Sequence, residues 1–279
     1  MSVKPFAIAG PAIISVSGGR TSGYMLRQVL EANGGKLPTD VCAVFANTGR
    51  EMPATLDFVR DMGAAWNVPI VWLEFTARRK DGFRVVNHNS ASRNGEPFAA
   101  LLSAQSGLPN PVQRSCTTEM KIRTIKRWCQ AQGWARWLNV VGLRADEPGR
   151  VTKAKQPRKD QWTMATPLAE AGVTVNDVAK FWRAQPFDLA LAGRWEGNCD
   201  GCFLKGRSAI IRMAHDHPER MQWWADMEAI PRGTNNVKRR FRSDRENYET
   251  LLYAGQHQLV GYDETMIEGG EPCDGGCGV

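Results

Sequence analysis

The sequence has no uninterrupted run of about eighteen apolar residues, so it offers no candidate for a membrane-spanning helix. Its N-terminus lacks the pattern of a signal peptide, because the weak apolar patch around Phe6 and Ile8 is broken by Pro11. A cytoplasmic location is the expectation. Histidine is scarce, four in 279 residues, and His88, His215, His217 and His257 show no metal-ligand spacing. No G-x-G-x-x-G follows a strand-like run, which removes the dinucleotide-binding fingerprint. The near match to a phosphate-binding P-loop at residues 201–208 has Arg207 where lysine belongs and no strand before it. There is no internal repeat, and the 27 glycines and 15 prolines are spread along the chain.

What remains is a globular composition, 42% hydrophobic and 23% charged, with a formal charge of +7. An anionic small substrate, nucleic acid or simply a basic surface accounts equally for that surplus. Ala12-Ile-Ile-Ser-Val16, Val41-Cys-Ala-Val-Phe-Ala46, Pro69-Ile-Val-Trp-Leu-Glu-Phe75 and Trp137-Leu-Asn-Val-Val-Gly142 read as buried strands. Between the first three lie helical patterns, one ended by Gly34-Gly35 and one opened by Pro53. This rhythm predicts an α/β fold: an open, mostly parallel twisted sheet with helices on both faces, followed by a helical C-terminal region. Residues 77–113 interrupt it with a polar, Gly- and Pro-containing stretch holding a short helix near 97–102, read as a lid-like insertion. Further helices are expected over 117–132, from Thr174 to about Ala184, from about Arg207, and from Pro218. The expected domains are a nucleotide-binding unit over 1–170, a helical region over 171–262, and a flexible cysteine-containing tail over 263–279.

Ser17-Gly-Gly-Arg-Thr-Ser22 joins a strand to a helix. Two glycines admit a phosphate to backbone N–H groups, Ser17 and Ser22 supply hydroxyls, and Arg20 supplies charge. Seven cysteines, an odd number, point in a cytosolic chain to metal or redox work rather than disulfides. Cys199-Asp-Gly-Cys202 is a chelating or redox turn, and Cys116, in polar surroundings before a helix start, is its best partner. Cys42, in an apolar strand, and Cys129, on an inward helix face, read as core thiols. Cys273 and Cys277 lie in a Gly- and Asp-rich arm able to reach a site. Arg20, Arg114, Lys121, Arg144 and Arg150 fall at strand ends or helix starts, where open sheets bind ligands. Lys238-Arg-Arg-Phe-Arg242 is a separate basic run, read as a solvated face, with Phe241 keeping a nucleic-acid contact open.

Taken in order, these motifs resemble the phosphoadenosine phosphosulfate reductase family, within the PP-loop group of adenine nucleotide α-hydrolase-like folds. The resemblance spans roughly residues 11–205, and the layout is most similar to the phage- and prophage-type members. Residues 17–22 resemble the PP-loop, and Asn47-Thr48-Gly49 the second strand-end motif. Arg114-Ser-Cys-Thr-Thr-Glu-Met-Lys121 is similar to the cysteine-and-lysine segment of cluster-bearing adenylylsulfate reductases. Gly142-Leu-Arg-Ala-Asp146 with Arg150 resembles the substrate-arginine loop, Pro167-Leu followed by Asn176-Asp-Val the helix before the last motif, and residues 197–202 the distal CxxC. The sequence departs from the family in three places. Ser115 replaces one of two adjacent cysteines, Thr21 stands where ATP-cleaving PP-loop enzymes carry Asp, and the tail matches only loosely.

The resemblance implies nucleotide and substrate contacts from Ser17, Gly18, Gly19, Arg20, Thr21, Ser22, Asn47, Thr48, Arg144, Asp146 and Arg150. It implies an iron–sulfur cluster, of the 4Fe-4S type, on Cys116, Cys199, Cys202 and Cys273, with zinc as the alternative metal. Cys277 and Lys121 are then the catalytic pair, and the expected reaction is reduction of adenylylsulfate or phosphoadenylylsulfate to sulfite, with a thioredoxin-like thiol as reductant. Two alternatives stay open. One is a PP-loop sulfurtransferase acting on nucleic acid through a three-cysteine cluster; the other is a non-catalytic, zinc-stabilised nucleotide-binding module.

Overall fold

The computed structural model describes residues 5–77, 81–157 and 159–257. Its centre is a six-stranded sheet whose first three strands in chain order are mostly apolar because both of their faces are covered. In β1 (Ala12–Val16), Ala12, Ile14 and Val16 enter one core while Ile13 enters the core on the opposite face. β2 (Val41–Asn47) divides in the same way, with Val41, Ala43 and Phe45 on one side and Val44 on the other. β1 pairs in parallel with β2, β2 with β3 (Ile70–Phe75), β1 with β5 (Trp137–Val140), and β5 with β6 (Trp162–Ala165). β4 (Phe83–Val86) closes one edge antiparallel to β3, giving the order β4-β3-β2-β1-β5-β6. The chain therefore runs outward from β1 through β2 and β3, then restarts on the other side at β5. That reversal leaves a crevice between the carboxyl ends of β1 and β5, where open α/β sheets receive ligands.

α1 (Arg20–Ala32) and α2 (Pro53–Ala65) pack on one face through Met25, Leu26, Val29, Leu56, Val59 and Met62. α3 (Glu96–Ser103) buries Phe98, Leu101 and Leu102 in a second core. The opposite sheet face is covered by α4 (Thr124–Ala131) through Trp128 and Cys129. α5 (Pro148–Lys155) and the short α6 (Pro167–Glu170) flank β6. α7 (Val175–Arg183) starts at a reciprocal capping box. Thr174 donates its backbone N–H and hydroxyl to Asp177, at 2.8 and 2.7 Å, as the Thr174 start signal predicts. α8 (Arg207–Asp216), α9 (Pro218–Ala229) and α10 (Tyr248–His257) complete the second core around Trp224, Phe241 and Tyr248.

The structure corrects several expectations. The stretch 77–113 holds the expected short helix, as α3, but also supplies the unanticipated strand β4. Four-residue β4 is too short to show a period, and its Arg84 is held by the fully buried Glu74 at 2.8 Å. The helix expected over 117–132 begins as π-helical turns at Cys116–Arg123 before α4, and Thr124 donates its hydroxyl to the Glu119 carbonyl five residues back. β6 and α10 carry too little periodic signal to be anticipated. Val173, Val178 and Trp182, on and just before α7, join the first core. Phe241 is wholly buried against Trp224 and Phe203, so it offers no ring to a nucleic-acid base.

Candidate functional site

The loop after β1 is linked to itself. The Ser17 N–H and hydroxyl both reach the Ser22 hydroxyl at 3.0 Å, and Ser22 donates to the Gly19 carbonyl at 2.9 Å. Gly18 has φ of 79°, and a Cβ there would fall 2.5 Å from Thr55 Cγ2, so only glycine fits the turn. Across the crevice a Cβ on Gly142 would lie 3.3 Å from Ser22 Cα, which places the exit of β5 directly on this loop. Arg144 bridges the two sides, donating from Nη1 to Thr21 Oγ1 at 3.2 Å and from Nε to Asp146 at 2.9 Å. Burial alone would raise the Asp146 carboxyl, yet the Arg144 guanidinium and the Val175 N–H hold it below its usual range. The Thr21 hydroxyl thus accepts from an arginine on the far side of the crevice. Arg20 turns elsewhere: it makes a bidentate pair with Asp188 at 2.7 and 3.0 Å, and its carbonyl accepts from Trp182 Nε1 at 2.8 Å. It braces the loop rather than charging it.

Next to the loop is a cleft whose cations are Lys121, Lys126 and Arg150. Ser17, Ser22 and Asn139 add polar groups, and Ile122, Ile125, Leu143 and the stacked Trp137–Trp162 pair, 5.5 Å between centroids, add apolar wall. None of the described lining residues is acidic. Arg150 pairs through Nη1 with Glu147, while its Nη2 is buried without a hydrogen-bond partner. A buried, unpartnered guanidinium nitrogen on a residue that lines an acid-free cleft is suited to an anion.

On the other side of Lys121 lie the cysteines. Asn47 donates to the buried Glu74 at 2.7 Å and accepts from the Gly49 N–H at 3.1 Å, which fixes the turn after β2. Thr48 gives its N–H and hydroxyl to Glu51 at 3.0 and 2.8 Å, and Cys199 Sγ lies 3.3 Å from the same hydroxyl oxygen. With the hydroxyl proton committed to Glu51, the Cys199 thiol is left to donate. Desolvation pushes that thiol well above its usual range and Glu51 adds to the rise, while Lys121 opposes it. Lys121 therefore acts on both places, lining the cleft and bearing electrostatically on Cys199.

The CxxC turn is clamped by its own middle. Asp200, fully buried, accepts from Arg50 at 3.2 and 2.6 Å, from Arg220 at 2.7 Å and from Trp224 Nε1 at 2.7 Å. Its N–H donates to the Arg50 carbonyl at 2.8 Å, and Arg50 lies 4.7 Å over the Trp223 ring. Arg50, Glu51, Asp200 and Arg220 were not singled out by the sequence reading. The one available signal was a charged residue inside a CxxC turn.

Cys116 is half-buried and packs with Cys199 against the second core. Among the described residues no three His, Cys, Asp or Glu side chains converge as a metal-binding group. The described cysteines thus supply an adjacent pair and a neighbour, not a closed ligand set. Cys273 and Cys277 lie outside the described residues. Cys42 and Cys129 pack behind the sheet; burial pushes both thiols up, Cys129 to about 12, in keeping with core thiols. Among the described residues no helix is long and apolar enough to cross a membrane.

No protein-family model matches the chain. It is similar to the uncharacterized nin region protein ORF290 of Escherichia phage lambda, 29% identical over 268 residues that cover 92% of this chain and 85% of the relative.

Proposed function

We propose that this protein is a cytoplasmic enzyme of the phosphoadenosine phosphosulfate reductase type, with an adenine nucleotide α-hydrolase-like fold, that reduces adenylylsulfate or phosphoadenylylsulfate to sulfite. The observation that carries this reading is the position of Lys121, shared between an acid-free anion cleft at the β1/β5 crevice and the Cys199 thiol. Ser17, Ser22 and the backbone around Gly18 and Gly19 hold the nucleotide phosphate. Arg150 meets the sulfate oxygens with its unpartnered nitrogen, and Arg144 keeps the two sides of the crevice in register. Water is kept from the sulfonyl group by Ile122, Ile125, Leu143 and the paired indoles.

In the proposed reaction a tail thiolate, Cys277 or Cys273, attacks the sulfate sulfur. An S–S bond forms as the S–O bond to the nucleotide breaks, and the nucleotide leaves with that electron pair. Lys121 and Arg150 stabilise the negative charge gathering on the transferring group. A thioredoxin-like dithiol then attacks the cysteine sulfur of the S-sulfonate and expels sulfite. Its second thiol resolves the mixed disulfide, so the dithiol is oxidised as the sulfur is reduced.

Cluster binding by Cys116, Cys199, Cys202 and Cys273 is part of the proposal on sequence resemblance. A cation held there would favour the Cys199 thiolate, which desolvation and Glu51 disfavour.

The test is anaerobic incubation of the full chain with either nucleotide and a dithiol. Sulfite should form in step with released nucleotide, and the double variant Cys273→Ser/Cys277→Ser should form none. Absence of sulfite from both nucleotides in the wild type would rule out the reductase. Full activity in the double variant would rule out the tail nucleophile.

A further inference from the structure

We propose that the basic loop preceding α10 is a binding site for the phosphate backbone of nucleic acid, independent of the reaction proposed above. The loop is held at both ends. Arg232 and Val237 exchange backbone hydrogen bonds at 2.9 and 3.2 Å, and the buried Arg232 guanidinium donates to the Leu102 carbonyl at 2.6 Å. Four residues further on, Phe241 is buried in the second core, and its N–H donates to Glu228 at 2.8 Å. Between these anchors Lys238, Arg239 and Arg240 are all exposed.

With Asn110, Gln113 and Ser243 these three cations line a shallow concavity that contains no acidic residue among those described. None of the three forms an ion pair with a described residue; of the nearby acids Asp244 is paired to Arg242 and Glu246 to Arg207, and the buried Glu228, which Arg240 feels at longer range, accepts from the Phe241 and Tyr248 N–H groups. A fixed loop keeps three unneutralised cations close together, at little ordering cost when an anion binds. A single small anion would leave most of that charge unused, while a chain of phosphates uses it by releasing counterions.

The loop presents no exposed aromatic ring of the kind that anchors a protein interface, and it buries the one ring it has. Backbone contact without base stacking makes the site indifferent to sequence. It shares no residue with the anion cleft.

The probe is a labelled mixed-sequence RNA or DNA oligonucleotide, titrated with the full chain over a range of KCl concentrations. The variant is Lys238→Ala/Arg239→Ala/Arg240→Ala. The control is Lys36→Ala/Arg136→Ala/Arg183→Ala, which removes the same charge from exposed positions elsewhere. For three phosphate contacts the log–log salt slope should fall in magnitude by about 2 to 3 in the loop variant, at about 0.7–0.9 per contact. The control should keep the wild-type slope. Arg239→Glu alone should weaken binding as well, which keeps the test decisive if the triple variant folds poorly. Absent binding, equal slopes in loop variant and control, or competition by poly-glutamate as strong as by unlabelled oligonucleotide would each overturn the proposal.

Discussion

Asp200 stands in the middle of the CxxC turn and faces away from chemistry. Its carboxylate is enclosed by Arg50, Arg220 and Trp224, so the turn is docked through a buried charge rather than through its cysteines. Removing that charge leaves two guanidinium groups partly desolvated beside a neutral side chain. Asp200→Asn should lower the unfolding free energy by about 3–5 kcal/mol, the range for breaking a buried ion pair on one side. Urea denaturation measures this, and a change under about 1 kcal/mol would show the network to be solvated. Cys129 supplies a pH prediction. Its thiol is neutral in the folded chain up to about 12, against an ordinary value of 9.0. The unfolded chain therefore loses a proton first, and stability falls as pH rises from about 9 towards 12, by at most about 1.4 kcal/mol per pH unit. Cys129→Ala should be less stable at pH 8 yet show a shallower decline above pH 9. An unchanged decline would place the alkaline sensitivity elsewhere.

Between elements, the controlling feature is how closely the loop after β1 is packed on its neighbours. Gly18 is pressed on Thr55 of α2, Gly142 on Ser22, and Gly23 of α1 on the Trp182 ring of α7, where a Cβ would meet Cζ2 at 2.7 Å. Gly18→Ala adds a methyl where none fits, in a backbone region that disfavours side chains. A cost of about 1–3 kcal/mol is expected, together with weakened nucleotide binding, because the methyl must displace the loop from α2. Thermal unfolding and nucleotide titration of the same variant test both parts. Wild-type affinity in a destabilised variant would separate the loop from the ligand. Motifs that sit at such junctions were legible in the sequence: strand, two glycines and hydroxyls mark the turn before α1, and Thr174 marks the start of α7. β4 and β6 were not, because four residues cannot display a period and their pairing is decided by neighbours distant in the chain.

Across the whole molecule, the α/β class and the alternation of strand and helix followed from apolar runs and punctuation. The division of apolar residues between the first and second cores did not, since α3 joins the second core and α7 the first, against their order in the chain. The site was legible as residue types but not as partners. Arg20, expected at the phosphate, is ion-paired to Asp188 in this structure, while Arg50, Glu51 and Arg220 carried no motif and hold the cysteine turn. Ser115 and Thr21 are also engaged in different ways. Ser115 donates to Gln105 at 2.9 Å, and Thr21 accepts from Arg144. A hydroxyl in this position offers a hard cation no anionic oxygen, and the charged groups of the crevice are arginine and lysine.

The acid-free cleft lined by Ser17, Ser22, Lys121 and Arg150 is the proposed seat of the adenylated anion. Calorimetric titration of the full chain with adenylylsulfate, beside Lys121→Met and Arg150→Ala, tests it most directly. One nucleotide should bind per chain, and each variant should weaken binding by about 10- to 100-fold, corresponding to the loss of one charge-assisted contact of about 1.5–3 kcal/mol. No binding by the wild type, or equal affinity in all three proteins, would contradict the assignment of this cleft.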